Sequence, residues 1–360
     1  MKETFMARMI AFYLPQFHPT PENDEWWGKG FTEWTNVAKA KPLFTGHYQP
    51  HIPADLGFYD LRVPETRFAQ AEMAREHGIE AFCYYHYWFG GKRILERPFT
   101  EVLESGKPDF PFCLCWANHS WTGIWAGCPG KTLIKQIYPG FDDHKAHFYT
   151  LLPAFSDNRY VTVDGKPLVL IYDPMRIPEI HKVTDFWREL ALKSGLKGLH
   201  LVGMAWHAGW NPLEHGFDAS TPKDQRPMVR DEMLSNYKIL QWANNKYQKI
   251  TGKPTVYLYK KVLNSWLRNE ADSQERYPCV MPNWDNTPRS GSSGLVLHDS
   301  SPELFRSLLK NTMASIRNKS AEHKVVFIKS WNEWAEGNHL EPDLRYGKAY
   351  LEIIRDEVLG

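Results

Sequence analysis

Eight short apolar runs punctuate the chain, at residues 9–14, 79–84, 112–116, 167–172, 199–204, 217–220, 277–281 and 325–328. Each is too short for a globular helix, and most are rich in Val, Ile, Leu or Phe, so they read as buried strands. Helical stretches with start and stop signals lie between them. Residues 64–76 open on Pro64 and stop at His77-Gly78, residues 178–194 stop at Gly195, and further helices are expected at 302–317 and 347–357. Short strands separated by helices predict an α/β fold, a single (β/α)8 TIM-like barrel with residues 1–360 as one catalytic domain. Two spacings break the rhythm: residues 15–63 after strand 1 and 221–275 after strand 6 read as long loop insertions.

Barrel enzymes build their sites at the C-terminal ends of the strands. In this chain every such position carries an aromatic ring, an amide, a carboxyl or a histidine. The expected substrate contacts are Gln16, His18, Tyr85, His86, Trp88, Trp116, Asn118, Tyr172, Trp206, Asn283, Trp284, Asp285 and Trp334. Singly, each could be a cap or a core residue; eight decorated strand ends together predict a polar, aromatic-lined cleft. His18 reads equally as a sugar-hydroxyl contact or as a structural histidine.

The last strand runs into Trp331-Asn332-Glu333-Trp334-Ala335-Glu336. Two carboxylates this close, flanked by tryptophan, suit acid/base chemistry, because apolar walls and a neighbouring carboxylate raise a carboxyl pKa. Tryptophan offers a flat platform for a sugar ring. The plainer reading is an acidic helix start that complements the macrodipole.

Composition narrows the partners. Lys+Arg 43 against Asp+Glu 42 leaves a net charge of +1, which gives no electrostatic case for nucleic acid or an anionic membrane. No apolar stretch reaches spanning length and no signal-peptide pattern opens the sequence, so a cytoplasmic location is expected. Cys83, Cys113, Cys115, Cys128 and Cys279 are an odd set, several in strand-like runs, and read as reduced thiols. No metal or other cofactor is expected: His47 and His51 are four apart but separated by Pro50, and read as loop histidines. Glu33 reads first as a capping residue and second as a third carboxylate at the site. An Asp-x-Asp triplet, a dinucleotide fingerprint and a phosphate-cradling loop are all missing from the sequence.

Several motifs in order carry a family resemblance. They are Phe12-Tyr13-Leu14-Pro15-Gln16-Phe17-His18, Gly30-Phe31-Thr32-Glu33-Trp34, Tyr48-Gln49-Pro50-His51-Ile52-Pro53-Ala54-Asp55-Leu56-Gly57-Phe58-Tyr59 and Cys115-Trp116-Ala117-Asn118. Met281-Pro282-Asn283-Trp284-Asp285-Asn286, Trp331 through Gly337 and Leu340-Glu341-Pro342 complete the set. Through them the chain resembles, over nearly its whole length, the WbsX-type proteins of bacterial polysaccharide biosynthesis, which are related to glycoside hydrolase family 99. The resemblance implies a barrel and a retaining reaction in which a base deprotonates the sugar's own 2-hydroxyl to give a 1,2-anhydro sugar. On the matching motif Glu333 would be that base, and Glu336 the acid that protonates the leaving oxygen. The ordinary retaining route with a carboxylate nucleophile stays open.

Two departures stand out. Trp334-Ala335 replaces the Trp-His common between the paired glutamates of the hydrolases, and Asn118-His119-Ser120-Trp121-Thr122 replaces the Asn-Glu-Asn-Trp-Thr of many WbsX-type chains. The resulting expectation is a retaining glycoside hydrolase acting on a bacterial oligo- or polysaccharide. The alternatives are a WbsX-type glycosyltransferase of O-antigen or lipopolysaccharide synthesis and, third, a non-catalytic sugar-binding barrel.

Overall fold

The computed structural model describes residues 7–123, 132–205, 209–223, 237–268 and 275–360. At its centre stand eight parallel strands. They are β1 (Arg8–Tyr13), β2 (Ile79–Phe89), β3 (Phe112–Trp116), β4 (Lys166–Ile171), β5 (His200–Ala205), β6 (Ala219–Pro222), β7 (Cys279–Val280) and β8 (Val325–Ile328). Their spatial order is β6-β5-β4-β3-β2-β1-β8-β7. The ring closes between its two ends: Ser220 N–H donates to the Glu275 carbonyl at 2.7 Å, and Tyr277 N–H donates to the Ser220 carbonyl at 2.8 Å. The expected (β/α)8 barrel is therefore the observed fold, and its outward-facing strand surfaces are covered by helices.

Alternation along the strands decides what faces the barrel axis. Phe12 of β1 stacks on Tyr85 of β2 and on Phe327 of β8, both at 5.5 Å, inside the ring. Its neighbour Tyr13 turns outward against Phe82 and Tyr84, and donates to Gln70 on helix Pro64–Glu76 at 2.7 Å. Cys83, Cys113, Cys115 and Cys279 are buried free thiols; Cys128 lies outside the described residues.

Most element boundaries fall within two residues of the sequence reading, and three strands show the departures that matter here. β2 runs on to Phe89, where it folds back on Lys92–Ile94 as a hairpin. β6 lies later than 217–220, because Asp218 turns its carboxylate to the Leu201 N–H and to Arg188 before the strand begins. β7 shortens to two residues. Helices at Arg97–Ser105 and Phe141–Phe155 were not foreseen; Pro153 in the second disguises it.

The first insertion folds into two short helices, Pro21–Trp27 and Glu33–Lys39, followed by a strap that crosses to the segments after β7 and β8. Ala54 N–H donates to the Pro342 carbonyl at 2.8 Å, and Leu344 N–H to the Ile52 carbonyl at 2.9 Å. The described part of the second insertion carries helices Tyr237–Thr251 and Tyr259–Arg268. Among the described residues, no helix is long and apolar enough to cross a membrane.

Candidate active site

The hexapeptide after β8 is fixed before any side chain reaches the cleft. Trp331 N–H donates to the Phe12 carbonyl at 2.8 Å. The Asn332 amide clasps the backbone of Leu14 from both sides, accepting its N–H at 2.7 Å and donating to its carbonyl at 3.0 Å. Ser330 Oγ accepts the Glu333 N–H at 3.0 Å, and Asn332–Glu333 pairs antiparallel with Asn338–His339 around the turn Trp334–Glu336. That turn closes on Gly337, whose φ of +56° and whose 2.9 Å gap from a would-be Cβ to Asp285 Cβ leave no room for a side chain. Trp331 and Trp334 are fully buried struts, each contributing roughly 2–3 kcal/mol of apolar burial. Trp334 stacks on His339 at 3.7 Å and donates its indole N–H to Glu341 at 2.6 Å.

Between these struts Glu333 and Glu336 turn into the cleft, and both meet Arg289. Its Nη2 donates to Glu333 at 2.9 Å, its Nη1 to Glu336 at 2.7 Å, and its Nε to Glu33 at 3.0 Å. A single guanidinium thus spans three carboxylates, one from the first insertion and two from the loop after β8. Glu33 is buried, at 3% exposure, just inside the helix whose N-cap is Thr32. The capping reading gives way to the third carboxylate. Arg289 sits on the short helix Thr287–Ser290, positioned by Asp285, which accepts from Thr287 N–H and Oγ1 at 3.0 and 2.6 Å.

Burial raises the Glu333 carboxyl to about 7; Glu336 and Glu33 add to the rise, while Arg289 and Lys329 oppose it. Burial likewise raises Glu33 against the pull of Arg289. For Arg289, burial alone would lower the pKa, but the three glutamates outweigh it and hold the guanidinium well above its ordinary value. Burial thus makes Glu33 and Glu333 hold a proton more tightly than free carboxyls do, despite the neighbouring guanidinium.

The cleft is an open space of about 820 Å³. Of the expected contacts, Gln16, Tyr85, Tyr172 and Trp284 line it together with Glu333 and Glu336. The others are placed elsewhere. His18 is buried in the first insertion with its pKa lowered to about 4 by desolvation. His86 and Trp88 point to the outer face of β2, because they alternate with Tyr85 and Tyr87. His86 Nε2 meets His147 Nε2 at 2.8 Å, and Trp88 stacks on His147 at 4.7 Å and donates to Asp143. Trp116 packs against Trp187 and His147 under helix Phe141–Phe155.

Asn118 ties Asp173 and Tyr138 together. Asn283 is half-buried away from the lining. Asp285 accepts from Gln49 at 2.7 Å and meets His47 Nε2 at 2.7 Å, pinning the strap. Trp334 supports the wall from behind, and Trp206 lies outside the described residues.

The sequence reading missed Arg289 and Lys329. Arg289 had no signal beyond its place just after the Asn283-Trp284-Asp285-Asn286 motif. Tyr87, in the aromatic run that follows strand 2 in the sequence, lines the cleft two residues from Tyr85. His119, met as a departure from the relatives, lines the cleft against Tyr172, and desolvation lowers its pKa to about 4.

Fold and site together define a (β/α)8 barrel with a buried acidic cluster at the C-terminal mouth. Over residues 9–354 the sequence matches the family described as Glycosyltransferase WbsX, and the chain belongs to that family. Two curated relatives from strains of Xanthomonas campestris pv. campestris, each described as "Uncharacterized protein WxcX", are 38% identical over 99% of this chain. The chain spans about half the length of these relatives, 50% in each case. Among solved structures, the glycoside hydrolase family 99 endo-α-mannosidase of Bacteroides thetaiotaomicron superposes with a TM-score of 0.58 at 14% identity, covering 97% of this chain and 96% of that one. A glycoside hydrolase-like protein superposes with a TM-score of 0.55 at 16% identity, covering 99% and 95%. These structural likenesses establish the barrel fold.

Proposed function

We propose that the protein is a carbohydrate-active enzyme that cleaves a glycosidic bond in a bacterial glycan with retention, using Glu333 and Glu336. The observation that carries this reading is the cluster itself: two buried glutamates on a rigid hairpin, joined by Arg289, in a cleft walled by Tyr85, Tyr172 and Trp284. A carboxyl near 7 suits proton abstraction at neutral pH, since a general base works best with a pKa close to the working pH. Glu333 takes the proton of the sugar 2-hydroxyl, whose oxygen attacks the anomeric carbon, while Glu336 delivers a proton to the leaving oxygen. Glu336, now a base, activates water to open the anhydro ring, and the proton on Glu333 returns to the 2-oxygen. Arg289 keeps both carboxylates in place and offsets their charge as protons move.

The family description favours a second reading, in which the acceptor is another sugar and the same pair performs transfer. Glu336→Gln and Glu333→Gln should each lower turnover by about 10²–10⁴-fold while sugar binding persists. Product analysis on bacterial glycans, with and without nucleotide sugars, separates the readings. Free oligosaccharide marks hydrolysis, and consumption of a nucleotide sugar marks transfer. A substrate without its 2-hydroxyl should be inert; rapid cleavage of it would rule out the anhydro route.

A further inference from the structure

Away from the lining of the cleft, three buried donors converge. His51 comes from the strap after β1, and His339 and Asp343 from the segment after β8; all are 5–7% exposed. His339 Nε2 lies 3.3 Å from His51 Nδ1, His51 Nδ1 lies 3.6 Å from Asp343 Oδ2, and His339 Nε2 lies 3.8 Å from Asp343 Oδ2. We propose that His51, His339 and Asp343 form a zinc site that locks the strap to the hairpin bearing Glu333 and Glu336.

The distances favour an ion over a hydrogen-bonded triad. All three exceed the usual range of about 2.7–3.2 Å for a nitrogen donor and its acceptor. They are close to the edges of a coordination tetrahedron, because metal–ligand bonds of about 2.0–2.1 Å put the ligand atoms about 3.3 Å apart. A contraction of a few tenths of an ångström would close the set.

The ligands are also aimed. His339 Nδ1 lies 3.0 Å from the Glu341 carbonyl, a contact that places the proton on Nδ1 and turns the Nε2 lone pair toward the cluster. Asp343 Oδ1 accepts the Arg345 and Tyr346 amides at 2.9 and 2.7 Å, leaving Oδ2 to point at the imidazoles. The two rings stand at 84° to each other, as two ligands approaching one ion from different directions do. Two imidazoles and one carboxylate suit zinc, whereas magnesium and calcium prefer oxygen throughout. Water would complete the fourth position. Because His339 stacks on Trp334, the ion would stiffen the wall that carries the two glutamates.

The proposal stands apart from the glycosidase reading and is tested without turnover. The full chain, stripped with chelator, is titrated with Co(II) as a spectroscopic probe. The expected result is a tetrahedral d–d spectrum saturating at one ion per chain, reversed by Zn(II), with a rise in Tm on adding Zn(II). Asp343→Asn, which keeps Oδ1 for the two backbone amides, should weaken binding by about 10–100-fold. His339→Ala should abolish it; if that variant fails to fold, Asp343→Asn and the wild-type spectrum decide. A wild-type chain without the saturable spectrum, or an Asp343→Asn variant that binds unchanged, overturns the proposal.

Discussion

Replacing Arg289 with Met removes a cation that touches all three glutamates while keeping a side chain of comparable length. The three contacts, at 2.7, 2.9 and 3.0 Å, are charge-assisted hydrogen bonds worth about 1.5–3 kcal/mol each. Their sum overstates the loss, because the wild type also bears the desolvation of a buried guanidinium. Breaking a buried ion pair from one side costs about 3–5 kcal/mol, and that is the expected deficit at pH 8. It should shrink with acid. Arg289 pulls the Glu33 and Glu333 pKa values down, so without it both rise further, and protonation relieves the variant more than the wild type. Below the unfolded-state pKa of 4.5 this electrostatic part of the deficit vanishes. Urea unfolding followed by tryptophan fluorescence measures it at pH 5 and pH 8, urea being preferred because an ionic denaturant would screen the charges. A deficit at pH 8 below about 1 kcal/mol, or one that stays constant between the two pH values, would refute the argument.

Two further perturbations test other parts of the site's support. Glu341, which accepts from Tyr59, Gln70 and Trp334, is raised to about 7 by burial, so its stabilising contribution is complete below pH 4.5 and is lost as pH rises through 7. That rise corresponds to about 3 kcal/mol for a fully buried group. Glu341→Gln should therefore gain stability relative to wild type by up to that amount between pH 5 and pH 8. Taking the difference cancels the opposite trend from His86, His119 and His339, whose pKa values burial lowers; a flat difference curve would contradict the prediction. Gly337→Ala should cost about 2–4 kcal/mol, from left-handed backbone and from overpacking against Asp285, with turnover falling as Glu336 is displaced; an unchanged Tm would show that the turn can relax.

The barrel was legible because most of its strands are short apolar runs rich in Val, Ile, Leu or Phe and set apart by helices, and β8 is the clearest case: Val325–Ile328 is buried at every position. The hexapeptide was legible for a chemical reason, the juxtaposition of acids and indoles. What the sequence obscured was direction. Residues 85–88 were treated as loop facing a common cleft; once β2 continues through them, Tyr85 and Tyr87 face the cleft while His86 and Trp88 face the helices. Asn118 and Asp285 were polar and near strand ends, yet their partners are Asp173, Tyr138, His47, Gln49 and Thr287, contacts that only the folded chain brings together. Arg289 illustrates the same limit from the other side. Nothing local marks an arginine that will meet carboxylates from residues 33, 333 and 336.

The closure of the barrel at Ser220 has a consequence for how the molecule breathes. β1 meets β2 along five paired positions, whereas among the described residues the join between β6 and the segment leading into β7 shows two backbone hydrogen bonds, both made by Ser220. Local opening begins where the fewest bonds must break together. In amide exchange, the protons of Ser220 and Tyr277 should therefore be the first of the ring to be lost, with those of β1, β2 and β8 persisting toward the global limit. The barrel is in effect a sheet rolled up and pinned at Ser220, and the cluster built on β8 sits one strand from that pin.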